Sequence, residues 1–137
     1  MTTTQTNTNK KSSLAKKGKK MKLQSSTGLV KISANYNNTK VTVTTTTGDV
    51  VVKFTAGQFQ KGSRRSTPLA AEQASIEAAK EARIRGMKEV HVVVKGPGHG
   101  RDAAVKGLEV GKLKVLSIAD KTGSPFNGCR PKKEKRV

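Results

Sequence analysis

One cysteine, no tryptophan, four prolines and only 3% aromatic residues stand in this 137-residue sequence, and no acidic residue appears before Asp49. Each scarcity excludes something. Cys129 is alone, and His91 and His99 lie far from it in the chain, so neither a disulfide framework nor a zinc-ligand spacing exists. A reducing compartment is expected, with no metal and no cofactor. The rings of Tyr36, Phe54, Phe59 and Phe126 are too few for a sheet surface that stacks a run of single-stranded bases, which favours folded RNA or a duplex backbone as the ligand. The longest aliphatic stretches, Val50–Val52 and Val92–Val94, fall far short of the roughly 18 apolar residues that a membrane span needs. Carboxylates are also missing where a two-metal nuclease on a mixed sheet would need them, because the predicted first strand, Leu29–Asn35, contains none.

What the sequence has in excess is positive charge. Twenty-eight Lys and Arg against nine Asp and Glu leave a formal charge of +19. A fold carrying that surplus repels itself unless a polyanion neutralises it, and without a membrane-seeking segment the polyanion is nucleic acid. Residues 1–27 combine Thr, Asn and Ser with Lys10, Lys11, Lys16, Lys17, Lys19 and Lys20 and show no apolar face, so they read as a disordered basic arm that contacts RNA. They lack the apolar stretch of a secretory signal; a weak organelle address is the alternative. Residues 28–121 suffice for one α/β domain, and residues 122–137 form an extended basic tail.

Within the domain, alternation of Val30, Ile32 and Ala34, then Val41 and Val43, then Val50, Val52 and Phe54 predicts three short strands. Asn37-Asn38 and Thr47-Gly48-Asp49 are turn formers, so an antiparallel meander is expected. Thr67-Pro68 supplies a cap and a proline at the first helical position, and Gly86 a stop, predicting a helix to about Arg85 with Glu81 paired to Arg85. Its alanines at 70, 71, 74, 78 and 82 suit close packing on a sheet. Glu89–Lys95 reads as a buried strand, Asp102–Val110 as a second helix and Leu113–Ala119 as a fifth strand, and right-handed crossovers place these later strands beside the first, giving an α/β sandwich around a five-stranded mixed sheet.

Three segments carry candidate binding chemistry. The connection Gly57–Thr67 sets Lys61, Ser63, Arg64, Arg65 and Ser66 before the start of the long helix, where backbone amides and guanidinium groups suit phosphate oxygens; a solvated loop with an ordinary cap is the bland alternative. The loop Lys95–Asp102 offers Lys95, Gly96, Gly98, His99 and Arg101, with the glycines expected to let an RNA backbone approach closely. Its Gly96 and Gly98, with Asp120 about 20 residues on, also resemble a dinucleotide fingerprint, but Arg101 stands where the third glycine belongs. The tail contributes Arg130, Lys132, Lys133, Lys135 and Arg136 against the single acid Glu134, and could instead be only solubilising. The rival to an RNA-binding protein on the charge argument is a DNA-binding architectural protein.

In Asn37-Asn38-Thr39, Lys61–Ala71 (KGSRRSTPLAA), Val94–Arg101 (VKGPGHGR) and Asn127–Lys133 (NGCRPKK), in this order and spacing, the sequence resembles the small-subunit ribosomal protein eleven family in its bacterial and organellar form. The resemblance covers roughly Gly28 to Val137. It implies a three-layer α/β/α, ribonuclease-H-like fold without the catalytic carboxylates, and no enzymatic activity. It implies a ribonucleoprotein role in translation and subunit assembly: rRNA binding to central-domain hairpins on the platform of the small ribosomal subunit, near the exit-site side of the messenger RNA path, beside platform proteins eighteen and twenty-one. It places Asn37, Asn38 and Asn127 among the RNA-binding residues, and it implies isoaspartate at Asn127, where the following Gly128 lets a succinimide close. Departures at Thr122–Gly128 and Gln58–Gln60 suggest a mitochondrion first, with the bacterial cytoplasm or a plastid as alternatives.

Overall fold

The computed structural model describes residues 26–136, so the lysines of the expected N-terminal arm, Lys10, Lys11, Lys16, Lys17, Lys19 and Lys20, lie outside the described residues. The strands are β1 (Thr27–Ala34), β2 (Thr39–Thr45), β3 (Val50–Thr55), β4 (Glu89–Lys95) and β5 (Lys114–Asp120). The helices are α1 (Ala56–Phe59), α2 (Pro68–Ile84) and α3 (Arg101–Val110), with a 3-10 turn over Gly62–Ser66 ahead of α2.

The sheet runs β3-β2-β1-β4-β5. β1, β2 and β3 form the expected antiparallel meander, with Val30 opposite Val43 and Val43 opposite Val52. β4 lies parallel to β1 on its other side, Val30 beside Val92, and β5 lies parallel to β4. The register slips between Val43 and Thr44 and again between Val90 and His91, the local irregularity that a one-residue bulge produces. An open mixed sheet with helices is the α/β class expected, consistent with the α/β/α arrangement.

Period-two alternation decides which face is covered. Val30, Ile32, Val41, Val43, Val52, Val90, Val92 and Val94 turn to one face and are buried. There they meet Ala71, Ala78, Ala79 and Ala82 of α2 and Ala104 and Leu108 of α3 in one core. Lys31, Lys53 and His91, one residue out of phase, are exposed on the opposite face.

Small residues let the two long helices approach. A Cβ on Gly107 would stand 2.7 Å from the Glu72 carbonyl oxygen and 2.8 Å from the Ser75 Cβ, so the α2–α3 contact closes only because that side chain is absent. Local signals set the ends of α2. The Thr67 hydroxyl accepts from the Ala70 amide at 3.4 Å, Pro68 opens the helix, Glu81 pairs with Arg85 at 3.3 Å, and Gly86 leaves it at φ +104. The span differs from expectation by one residue at its C-terminus.

The segment expected as an open loop between β3 and α2 is ordered into α1 and the 3-10 turn. The Gln58 side chain accepts from the Thr55 amide at 3.1 Å, and the Ser66 hydroxyl donates to the Ser63 carbonyl at 2.8 Å. These contacts satisfy polar groups that the turn would otherwise leave to solvent.

Candidate nucleic-acid interface

Three connections distant in sequence meet at one end of the sheet, where β1 and β4 finish and β2 begins. The first is the β1–β2 turn, closed by the Asn35 amide donating to the Asn38 carbonyl at 2.9 Å. The second is the β3–α2 connection, which reaches the turn through Arg65: its Nε donates to the Asn37 side-chain oxygen at 3.3 Å. The third is the β4–α3 loop, tied to β1 by the Gly98 amide donating to the Ala34 carbonyl at 2.9 Å. Across this junction the rings of Tyr36 and His99 stand edge to face, centroids 6.3 Å apart.

The arrangement leaves donors outward. Lys61, Ser63, Arg64, Lys95 and His99 are exposed, and Arg64 and Arg65 sit in the last turn of the 3-10 segment, just ahead of α2. The Arg64 carbonyl accepts from both the Thr67 hydroxyl, at 2.7 Å, and the Thr67 amide, at 3.2 Å, which fixes the backbone beneath the guanidinium while its head stays in solvent. A fixed backbone under exposed cations suits a polyanion, since the phosphates meet positive charge on a framework that needs little reordering.

Two expectations change here. Gly96 and Gly98 were expected to admit an RNA backbone, yet both are buried. A Cβ at Gly98 would stand 2.5 Å from the Asn35 carbonyl oxygen and 2.8 Å from the Ala34 carbonyl carbon, and one at Gly96 would collide with the Ala34 carbonyl oxygen. The close approach that these glycines permit is internal: the loop lies on the end of β1, and that contact presents His99. Arg101 was expected among the RNA-facing residues of this loop; in the structure it donates to the Gly96 carbonyl at 3.1 Å and pairs with the Asp120 carboxylate. It braces the loop against the end of β5.

Asp120 is thereby committed within the chain. The Thr122 hydroxyl donates to it at 2.6 Å and the Thr122 amide at 2.9 Å. The Thr122 hydroxyl, then Arg101, then the Thr122 amide favour the charged form and lower the carboxyl from 3.8 to about 2. A carboxylate so occupied is not offered to a ribose, which removes the dinucleotide reading on geometric grounds.

The tail leaves from the same end. The Lys121 amide donates to the Val94 carbonyl at 2.9 Å, and the Gly96 amide donates to the Thr122 hydroxyl at 3.2 Å. Beyond it the residues through Arg136 form neither helix nor strand and are exposed, including Arg130, Lys132, Lys133, Lys135 and Arg136; Phe126 is fully exposed, and Asn127 holds φ +81. The structure brings Asn37, Arg64, Arg65 and His99 to one end of the sheet, with Asn38 in the same turn as Asn37.

Reading the sequence by charge passed over two features. Tyr36 is 69% exposed at the centre of the junction, signalled only by its position beside the turn. The Asn38 side-chain oxygen is buried without a partner among the described residues. Also among the described residues, no group of three or more His, Cys, Asp or Glu could hold a metal ion.

Comparison with known proteins gives the family of the chain. Residues 28–136 match the family model described as Ribosomal protein S11. The Small ribosomal subunit protein uS11 of Nitratidesulfovibrio vulgaris (strain DSM 19637 / Miyazaki F) is 48% identical over 120 residues, covering 87% of this chain and 93% of that protein.

Proposed function

Because the chain belongs to the ribosomal protein S11 family, we propose that it is a structural protein of the small ribosomal subunit that holds folded ribosomal RNA and catalyses nothing. The observation that supports this most is the convergence of the β1–β2 turn, the β3–α2 connection and the β4–α3 loop, linked by the Arg65–Asn37 bond and the Tyr36–His99 contact. Three rigidly joined loops form one concerted surface, and Lys61, Arg64, Arg65 and Lys95 supply its charge. Phosphate contacts from such cations fix orientation on RNA, while the exposed side chain of Asn37 can reach base or sugar edges.

On the finer points the reading is as follows. The RNA comprises central-domain hairpins on the platform, near the exit-site side of the messenger path, and neighbouring proteins include those numbered eighteen and twenty-one. Residues 28–121 bind as the folded unit, while residues 1–27 and 122–137 act as arms that order on RNA. The ribosome is placed in a mitochondrion first, on the departures at Thr122–Gly128 and Gln58–Gln60.

The deciding experiment is sedimentation of the tagged chain from lysed cells and from purified mitochondria through a sucrose gradient. Co-migration with small subunits, released by high salt together with loss of RNA contacts, is expected. Migration with chromosomal DNA, or as a free protein, would overturn the reading.

A further inference from the structure

The strand order leaves two strands with an open side, β3 and β5, and the two are treated differently. At β3 the guanidinium of Arg85, the residue that follows α2, donates to the Val51 carbonyl, so the chain itself occupies an acceptor beside that edge. No side chain among the described residues does this for the outer edge of β5. Every residue of β5 but Val115 is exposed. Leu116 is 43% exposed, Ile118 57%, and Val110, at the end of the neighbouring α3, 59%. Ile118 also lines a cleft of about 350 Å³ between β5 and α3, with Val94 and Val105 as further apolar lining and Arg101, Asp102, Lys106 and Asp120 around it.

An uncovered edge bearing aliphatic side chains is a template for another strand, and soluble proteins ordinarily blunt such edges. A strand added here finds main-chain partners along β5 and a seat for one of its alternate side chains in the cleft beside Ile118. RNA is the wrong occupant. Phosphate and ribose gain nothing from covering Leu116 and Ile118, and the guanidinium at the rim, Arg101, is already paired with Asp120. Charge opposes a second copy, because each chain carries a formal +19. Lys112 and Lys121 are exposed at the two ends of the strand, where carboxylates of an incoming segment would complement them.

We propose that the outer edge of β5 takes an extended segment of a different protein chain as a sixth strand, with one apolar residue seated beside Ile118 and acidic residues near its ends facing Lys112 and Lys121. This surface is separate from the basic loops, so the chain would bind RNA through its loop end and protein through its sheet edge.

The test uses the full chain in living cells, with a benzoylphenylalanine photocrosslinker at Leu116 or, separately, at Ile118. Cells are irradiated before lysis, so that the cross-link reports the occupant of β5 whichever particle carries the chain; sedimentation then reports on the small-subunit reading independently. The expected result is a link to one other protein, mapped by mass spectrometry to an extended stretch with flanking acids. Amide hydrogen exchange over Leu116–Asp120 should also slow at least tenfold in the isolated complex relative to the free chain. An Ile118→Glu variant, which places like charge against the incoming segment at an exposed site, should lower the Leu116 cross-link at least tenfold while leaving sedimentation unchanged. Links to RNA, to residues 1–25 of the same chain or to a second copy would each overturn the proposal. So would an absence of links with β5 amides exchanging as in the free chain, or a link indifferent to Ile118→Glu.

Discussion

Gly48 and Gly96 share a φ of +105 but not their surroundings, and the pair therefore isolates what the β4–α3 loop needs. Nothing lies within 4 Å of a Cβ built on Gly48, whereas one on Gly96 collides with the Ala34 carbonyl oxygen and lies 3.0 Å from its carbon. Gly48→Ala should therefore lose only conformational ease. An L-residue in the left-handed region costs about 1–2 kcal/mol, offset in part by the narrower unfolded ensemble of alanine, about 0.4–1 kcal/mol. Gly96→Ala meets the same terms plus overpacking against main chain, which cannot swing aside as a side chain can, for a further penalty of about 1–3 kcal/mol. With a urea m-value of about 1.5 kcal/mol/M, the Gly96→Ala midpoint should fall about 0.7–2 M below that of Gly48→Ala. Urea unfolding followed by circular dichroism reads both, and equal m-values license the comparison. Should the two midpoints coincide while only Gly96→Ala loses RNA affinity, the glycine would serve RNA approach after all, and the internal-packing account would be refuted.

Replacing Arg64 and Arg65 together with Ala should weaken binding to a small-subunit RNA transcript while leaving the unfolding free energy within about 0.5 kcal/mol, since neither surface cation is in an ion pair among the described residues and the Arg65–Asn37 bond lies at the surface; unchanged affinity would return them to solvent. Tyr36→Leu should cost about 5- to 150-fold in affinity for a hairpin with unpaired loop bases, and Tyr36→Phe should not, if its ring stacks on a base; equal losses would implicate the hydroxyl instead. The Asp120 carboxyl, lowered from 3.8 to about 2, stabilises the fold fully above the unfolded value and loses that contribution as pH falls from about 4 through 2. In an NMR titration, Thr122→Val should move it back toward 3.8, and a carboxyl still titrating near 2 in that variant and in Arg101→Met would contradict the assignment. Asn127, already left-handed at φ +81 and followed by Gly128, should be isoaspartate in mature subunits; electron-transfer fragmentation showing asparagine or ordinary aspartate there would end that idea.

What could be read beforehand followed the range of the forces involved. β4 emerged with its bounds as expected because Val90, Val92, Val93 and Val94 carry their own pattern, and α2 because Thr67, Pro68 and Gly86 mark its ends locally. β1 began two residues earlier than expected. Gly28 pairs with Val90 and leaves no space for a Cβ beside Met87, a contact made with a residue far along the chain. α1 was missed although Thr55 and Gln58 carry a capping pattern, because four residues are too few to show a helical period. In the site, the cations of the β3–α2 connection were visible from charge alone. The internal duties of Arg101, Gly96 and Gly98 were not, since they depend on β1 and β5 flanking β4, which no local window reveals.

The position of β1 sets an order of events during synthesis. β1 has partners on both sides: β2, made immediately after it, and β4, whose residues emerge roughly sixty positions later. The meander can close early, but Ala34 and Asn35 cannot receive the β4–α3 loop until most of the chain exists, and pairings of such separation form slowly. Of the three loops that meet at the sheet end, the third therefore arrives only with the long-range parallel pairing. A chain interrupted after α2 carries the Asn37 turn and the Arg64–Arg65 connection without His99 opposite Tyr36. The fold thus orders its own assembly: the three-loop surface exists only once the chain has been made through the β4–α3 loop.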